Sequence, residues 1–184
     1  MVQSPIHVED KNGFSFVFRT PNSDEAQVVL DAMAEIAASS PYILSTAESF
    51  RSIDLKEQVK WIESCAKSAV SVIIAVYESS GRLIGLCNGR CYSDPKRKHR
   101  AALGVSIHPN FRGQGLGKKL MEVLINNIKS FTGIKIIELD VMAENLPAIK
   151  MYESLGFKRG GLFPKAFILP DGRTIDNLTM YADV

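Results

Sequence analysis

The residues of this sequence with the clearest chemical potential form one glycine-rich loop, Arg112-Gly113-Gln114-Gly115-Leu116-Gly117. The loop lies between a predicted strand that ends at Ile107 and the start of a predicted helix. Glycine lets the backbone approach a ligand closely, and a helix N-terminus offers unpaired N–H groups and the positive end of the helix dipole. Arg112, Lys118 and Lys119 add positive charge. This combination predicts a site for an anion such as a pyrophosphate.

Two common phosphate-binding motifs do not fit this loop. A P-loop requires a first Gly, and a Ser or Thr directly after its Gly-Lys pair, but the sequence has Arg112 and Lys119 at these positions. A dinucleotide-binding fingerprint requires a third Gly where the sequence has Lys118. A tight turn without a ligand remains the alternative to an anion site.

The stretch around the loop, from Val105 to Lys118, resembles motif A of the GNAT superfamily of N-acetyltransferases. The resemblance is carried by the pattern Arg-x-x-Gly-x-Gly at Arg112, Gly115 and Gly117. In that family the loop binds the pyrophosphate of acetyl-CoA. The resemblance therefore implies acetyl-CoA as the cofactor and a primary amine as the acceptor.

A second segment is similar to the same family's motif B. It has the pattern Asn145-x-x-Ala148-x-x-x-Tyr152, followed by Leu155-Gly156-Phe157. The two motifs occur in the family's order and at about its spacing. The resemblance covers Ala101–Phe157, and the order of predicted elements extends it from Phe14 to the C-terminus.

Carried over residue by residue, the resemblance implies a set of cofactor-binding positions in the two motifs. In the family, the strand before the loop diverges from its neighbour, and the pantetheine arm of the cofactor inserts between the two. Asn145 also has the ordinary interpretation of a helix N-cap. The implied positions are Val105, Ser106, Ile107, Arg112, Gly113, Gln114, Gly115, Leu116, Gly117, Lys118, Asn145 and Ala148.

The resemblance also implies the catalytic groups. Tyr152 would be the general acid, because a phenol with a pKa of about 10 can protonate a leaving thiolate whose pKa is about 8.5; a core aromatic is the alternative. A protonated amine must lose a proton before it attacks, and Asp140 occupies the position at which N-terminal acetyltransferases of the family place a catalytic Glu. Glu138 points to the same strand face as Asp140, so Asp140, Glu138 or a chain of waters is left open as the base. His108 could face the site or lie on the surface.

The elements that would position these residues follow from hydrophobic periodicity. Strands are expected in seven stretches and helices in four, in the order strand, two helices, three strands, helix, strand, helix, two strands. This order predicts an α/β (α+β) fold in which a mixed, mostly antiparallel sheet of about seven strands carries about four helices on its faces, as in the GNAT fold. One domain spanning residues 1–184 is expected, because no linker or repeat interrupts the chain.

Composition excludes several classes of function. The net charge of +2 is too small to favour a nucleic acid or an anionic membrane as the partner. The first ten residues lack the apolar core of a secretory signal. The longest apolar stretch, Ala69–Tyr77, is far shorter than the roughly 20 residues that cross a membrane. A cytoplasmic location is therefore expected.

Three cysteines, Cys65, Cys87 and Cys91, match neither a disulfide framework nor metal-ligand spacing. They are expected to be small buried side chains, and no metal site is expected. The basic run Lys96–Arg100 has the composition of a solvated loop or of a phosphate contact.

The acceptor is expected to contact the variable segments, namely the connection Pro41–Phe50, with Tyr42, Glu48 and Phe50, and the hairpin Gly160–Arg173. Similarity to the branch that acetylates small amines and amino acids favours a small-molecule acceptor. A protein N-terminus or a lysine side chain, a non-catalytic acetyl-CoA-binding module, and an unrelated anion-binding protein remain alternatives. Members of the family often dimerise, which leaves a homodimer open.

Overall fold

The structure, a computed structural model, describes residues 4–184. It contains eight strands in one sheet and five α-helices. The strands are β1 Ile6–Glu9, β2 Ser15–Arg19, β3 Ser71–Glu78, β4 Leu83–Cys91, β5 Arg100–Ile107, β6 Ile136–Met142, β7 Lys158–Ile168 and β8 Thr174–Asp183. The helices are α1 Ala26–Ala38, α2 Ala47–Arg51, α3 Leu55–Lys67, α4 Leu116–Lys129 and α5 Leu146–Ser154.

The sheet has the order β1-β2-β3-β4-β5-β6-β8-β7. All neighbouring strands are antiparallel except β5 and β6, which are parallel. The parallel pair arises because α4 carries the chain from the end of β5 back to the start of β6, as parallel neighbours require. The prediction of a mixed, mostly antiparallel sheet is confirmed.

The expected numbers of strands and helices were each one too low. Strand β1 has only Ile6 and Val8 as apolar residues, too few for a periodicity, and its pairing with β2 places Ile6 opposite Phe18. Helix α2 has five residues inside the connection that was expected to be irregular, and Thr46 caps it by accepting the N–H of Ser49. In both elements, contacts outside a short segment decide its conformation.

Helices α4 and α5 cover one face of the sheet and form the larger core. The buried face of α4 repeats every three or four residues, the spacing that keeps side chains on one side of a helix. Its fully buried members are Leu116, Leu120, Met121, Leu124 and Ile128. On β4, Gly89 allows the close approach of α4, since a Cβ there would lie 2.6 Å from the Ile128 Cδ1 atom.

Helices α1 and α3 cover the opposite face, but only over the first half of the sheet. Their buried residues pack on β3 and β4, through side chains such as Val29, Ile62 and Leu86. The same face of β6 and β8 carries polar residues, including Asp140 and Thr179, which are exposed or half-buried. A polar surface beside a parallel strand pair is therefore left open.

The three cysteines are buried and form no disulfide, as predicted. Cys87 and Cys91 lie in the core beneath α4, and Cys65 lies beneath α3. Within residues 4–184, no helix has the length and apolar character needed to cross a membrane.

Candidate functional site

The site is organised by the short pairing between β5 and β6. Their register covers only Arg100 with Ile136, Ala101 with Ile137 and Ala102 with Glu138. Beyond these pairs the two strands separate, although β5 continues to Ile107 and β6 to Met142. The divergence that the resemblance implies is therefore present, and a gap opens within the sheet.

The backbone of β5 presents hydrogen-bonding groups to this gap. In an antiparallel pair, alternate residues direct both N–H and C=O to the partner strand. The His108 N–H donates to the Ile84 carbonyl over 2.8 Å, and the Tyr92 N–H donates to the Arg100 carbonyl over 3.1 Å, so the even-numbered residues of this segment bond to β4. The odd-numbered residues that face the gap are Leu103, Val105 and Ile107.

This alternation separates the three predicted cofactor contacts on β5. Val105 and Ile107 direct their backbone toward the gap, whereas Ser106 bonds to β4 opposite Leu86. The Ile107 carbonyl accepts a hydrogen bond from the Arg112 Nε over 2.8 Å. The Ile107 N–H and both backbone groups of Val105 are thus the groups best placed for a ligand in the gap.

The glycine-rich loop lies at the open end of the gap. Gly113 and Gly115 have φ of +72° and +86°, in the left-handed region that favours glycine. Gly115 is the N-cap of α4 and supplies no side-chain cap, so the first amides of the helix are free to bind an anion. Leu116 is fully buried, so only its backbone can contribute.

Gly117 lies where three elements meet. A Cβ at this position would be 3.3 Å from the Met151 Sδ atom of α5 and 3.8 Å from the Ile107 Cγ1 atom of β5. Gly117 therefore brings the loop close both to the end of β5 at the gap and to α5, which carries Tyr152.

Several hydrogen bonds connect the loop and the first turn of α4 to neighbouring segments. The Arg112 guanidinium donates to the Ser39 hydroxyl at the end of α1 over 3.2 Å, and burial lowers the pKa of this guanidinium. The Gln114 side chain donates to the Asn110 carbonyl over 3.0 Å, and the Lys119 ammonium donates to the Glu9 carbonyl. Lys118 is exposed, so it is the cation of this loop best able to reach a solvent-facing phosphate.

Asn145 and Tyr152 lie on α5, on the α4 side of the sheet. The Asn145 side chain is the N-cap and accepts the Ala148 N–H over 3.4 Å, which confirms the N-cap interpretation. Tyr152 is buried in the main core, and among residues 4–184 its hydroxyl has no hydrogen-bond partner. Burial raises the pKa of Tyr152 to about 12, so the phenol keeps its proton throughout the neutral range.

The two candidate carboxylates point to the opposite side of the sheet from Tyr152, because they alternate with the core residues Leu139 and Val141. Glu138 forms an ion pair with Arg100, and its other oxygen accepts the Tyr92 hydroxyl over 2.5 Å. That bond raises the pKa of Tyr92. Both oxygens of Glu138 are therefore occupied.

Asp140 is held through one oxygen only. Its Oδ1 atom accepts the Asn177 amide over 2.7 Å and the Thr179 hydroxyl over 2.6 Å. Its Oδ2 atom has no partner within the described part of the chain, and the residue is exposed. Asp140 also lies directly beyond Glu138, where β5 and β6 begin to separate.

His108 does not face the gap. Its ring is buried, with Nε2 3.0 Å from the Glu35 carboxylate and 3.3 Å from the Arg82 guanidinium. Its Nδ1 atom accepts the Asn110 N–H over 3.3 Å, and its bond to Glu35 lowers the pKa of that carboxyl. His108 thus connects the turn before the loop to α1.

The two segments predicted to contact the acceptor meet at the end of β6. Tyr42 from the α1–α2 connection and Phe167 from β7 pack on a small cluster formed by Met142, Leu169 and Ile175. Met142 lies on the same face of β6 as Asp140, so this cluster borders the open polar face. Across residues 4–184, no three His, Cys, Asp or Glu side chains are grouped so as to hold a metal ion.

Sequence reasoning missed the polar partners of the carboxylates. Asn177 and Thr179 alternate with the buried Leu178 and Met180 on β8, so the strand pattern places them on an open face but does not identify their partner. Tyr92 and Glu138 are far apart in sequence, and only the strand order brings them together.

Comparison with known proteins is consistent with this arrangement. The sequence model described as "Acetyltransferase (GNAT) family" matches residues 30–157. The L-amino acid N-acetyltransferase AaaT of Escherichia coli K12 is 27% identical over 117 residues, which cover 63% of this chain and 70% of that protein. The L-amino acid N-acyltransferase MnaT of the same organism is 25% identical over 127 residues, covering 68% of this chain and 72% of that protein.

A shorter match links the chain to a protein-modifying enzyme. The ribosomal protein bS18-alanine N-acetyltransferase of Escherichia coli K12 is 36% identical over 69 residues, which cover 38% of this chain and less than half, 46%, of that protein.

Solved structures share the fold. A GNAT acetyltransferase from Streptococcus pneumoniae superposes with a TM-score of 0.86 at 17% identity, covering 92% of this chain and 99% of that one. The yncA protein of Salmonella typhimurium, solved with acetyl-CoA, has a TM-score of 0.77 at 20% identity, with 91% and 93% of the two chains covered.

Replacing Gly115 by Ala should weaken binding at the loop, because a Cβ disfavours the left-handed conformation that directs the first amides of α4. We expect acetyl-CoA to bind about tenfold more weakly, equivalent to about 1.4 kcal/mol, in calorimetric titration. Gly133→Ala is the matched control, since Gly133 has a φ of +82° but lies beyond the other end of α4. Equal affinities in the two variants would contradict the assignment of the anion site to this loop.

Proposed function

This chain belongs to the acetyltransferase (GNAT) family, and from that membership we propose that it transfers an acetyl group from acetyl-CoA to the primary amine of a small molecule, by direct attack within a ternary complex. Membership makes the chain an acyltransferase that uses acetyl-CoA as its cofactor. The observation that carries the proposal is the three-pair contact between β5 and β6 beside a glycine-capped helix. The continuous sheet supports treating residues 1–184 as one catalytic domain.

The residues present fit acetyl-CoA. The first amides of α4, with Lys118, would hold the pyrophosphate, and the exposed N–H and C=O groups of Val105 would pair with the amides of the pantetheine arm. When bound, acetyl-CoA supplies an activated thioester. Where the arm ends, a backbone N–H of β5 that faces the gap would donate a hydrogen bond to the thioester oxygen and stabilise the negative charge that develops there.

Asp140 is the residue we assign as the base. Glu138 has both oxygens engaged, by Arg100 and Tyr92, whereas Asp140 keeps Oδ2 available beside the gap. Asn177 and Thr179 fix the carboxylate by binding Oδ1. An ammonium group of the acceptor would donate to Oδ2 and lose its proton there, which produces the nucleophilic amine.

Tyr152 is the residue we assign as the acid. Its hydroxyl lacks a partner among residues 4–184, and its pKa of about 12 keeps the proton in place until negative charge develops on the leaving sulfur, which accepts it as the nitrogen of the acceptor gives one up. The transfer forms an N–C bond and breaks the C–S bond. The ammonium group of the acceptor loses two protons when it becomes an amide. One of these protons leaves through Asp140. The other restores the proton that Tyr152 donates to the sulfur.

The small-molecule class of acceptor has two supports. AaaT and MnaT, whose names describe acyl transfer to L-amino acids, match over most of their length. Tyr42 and Phe167 pack at the end of β6, beside the open polar face, where aromatic side chains can contact a small acceptor. Acetylation of a protein N-terminus is the second candidate, favoured by the higher identity of the shorter match to the bS18-alanine enzyme.

The proposed function is tested by measuring coenzyme A release with a panel of amines, amino acids and N-terminal peptides. We expect turnover with small amines or amino acids, and tighter calorimetric binding of acetyl-CoA than of ATP or NAD. Turnover confined to peptides would support the second candidate, and binding of acetyl-CoA without any turnover would support a non-catalytic module.

Replacement of Tyr152 by Phe removes the proposed acid while preserving the aromatic packing against Phe157, whose ring centroid is 5.9 Å away. We expect kcat to fall about 100-fold, within the usual contribution of general acid catalysis. The affinity for acetyl-CoA should change little in calorimetric titration. A kcat equal to that of the unmodified protein would eliminate this role.

Asp140→Asn and Glu138→Gln distinguish the two carboxylates by their pH profiles. A base acts when deprotonated, so the rate of the unmodified protein should rise with pH as its catalytic base loses a proton. We expect Asp140→Asn to lower kcat about 100-fold and to remove that rise. Glu138→Gln is the matched control and should retain it; the reverse result would reassign the base.

A further inference from the structure

A cavity of about 430 Å³ lies on the open polar face, over the paired ends of β5 and β6. It spans strands β5, β6, β8 and β7, on the same side of the sheet as Asp140. The residues that line it are His99, Arg100, Ile136, Glu138, Gly160, Gly161, Thr179 and Tyr181. Gly160 and Gly161 have no side chains, so these two positions of β7 leave space in the cavity.

Arg100 is the unusual residue of this cavity. One terminal nitrogen of its guanidinium pairs with Glu138, but its Nε atom is buried and has no hydrogen-bond partner within the described residues. A buried donor without a partner is costly. The Arg100 side chain as a whole is 36% exposed, so the accessible part of its guanidinium can bind an oxygen of a bound molecule, and a carboxylate matches this planar group better than other oxygen groups do.

The charge beside Arg100 also favours an anion. The segment that leads into β5 contains Lys96, Arg97 and Lys98. Arg97 pairs with Asp94 over 2.8 Å, while Lys96 and Lys98 have no ion-pair partner among residues 4–184. The positive potential of these lysines offsets the negative charge of Glu138 near the cavity.

Negative charge lies farther along β6. Glu138 and Asp140 are two residues apart on the same face, which corresponds to about 7 Å along a strand. The Arg100 guanidinium is in contact with Glu138, and Asp140 lies farther along the same face, hydrogen-bonded to Thr179, which lines the cavity. A cationic group in the cavity and a carboxylate at its border therefore lie on one face, arranged to receive the two charged ends of a small amino acid.

We propose that the acceptor is a zwitterion, an amino acid whose carboxylate binds Arg100 while its ammonium group binds Asp140. Arg100 is the residue that determines this specificity. The inference rests on the proposed function, because it describes the acceptor of the same reaction. It also gives a role to the hydrogen bond between Tyr92 and Glu138. Tyr92 fixes Glu138, and Glu138 positions the Arg100 guanidinium at the cavity.

The test compares each of a set of L-amino acids with its carboxamide, which retains the amine and side chain but removes the anionic group. We expect kcat/KM of the unmodified protein to be at least about tenfold higher for the amino acids, a preference of about 1.4 kcal/mol. Arg100→Lys retains a cation opposite Glu138 but lacks the planar pair of donors. This variant should lose most of the preference through a higher KM for amino acids, with a much smaller change in kcat/KM for the carboxamides.

Arg97→Lys is the matched control, since Arg97 lies in the same segment and pairs with Asp94 rather than lining the cavity. It should retain the full preference. Equal or faster turnover of the carboxamides by the unmodified protein would overturn the zwitterion proposal but leave the small-molecule function intact. Preference retained in Arg100→Lys would overturn the role of Arg100, and no turnover of either set would overturn the proposed function itself.

Discussion

The early separation of β5 and β6 is the constraint on which the rest of the site depends. Two parallel strands normally continue their hydrogen-bonded ladder along their shared length, because unpaired backbone groups are costly when buried. Here only three residue pairs are formed. The backbone groups of Val105 and the N–H of Ile107 are left without a strand partner, and the sheet itself offers a surface for an extended molecule.

The elements around the gap hold it open. Helix α4 begins at the end of the gap, and its N-terminal residue Leu116 is anchored in the core, so the anion-binding amides cannot move away from β5. Arg112 donates a hydrogen bond to the Ile107 carbonyl. Without Arg112, this carbonyl would be free to accept an N–H of β6. On the far side β8 pairs with all of β6, so β6 is stabilised without its usual contact with β5.

The sheet also separates two chemical environments. On the α5 side, burial raises the pKa of Tyr152 and preserves its proton. On the other side, α1 and α3 end before β6, and Asp140 remains exposed and hydrogen-bonded to β8. The strands therefore separate the proposed proton donor, Tyr152, from the proposed proton acceptor, Asp140. The reacting groups are expected between these two side chains.

The sequence by itself determined the order of the long elements, and it predicted an anion site at Gly113–Gly117 and site roles for Asn145 and Tyr152, because these depend on local periodicity and on short spacings along the chain. It did not reveal β1 or α2, which are too short to show a periodicity. Only the tertiary structure distinguished Asp140 from Glu138, since strand order places Tyr92 and Arg100 beside Glu138, and Asn177 and Thr179 beside Asp140. The state of each carboxylate depends on partners distant in sequence, and no local pattern encodes which strand lies next to which.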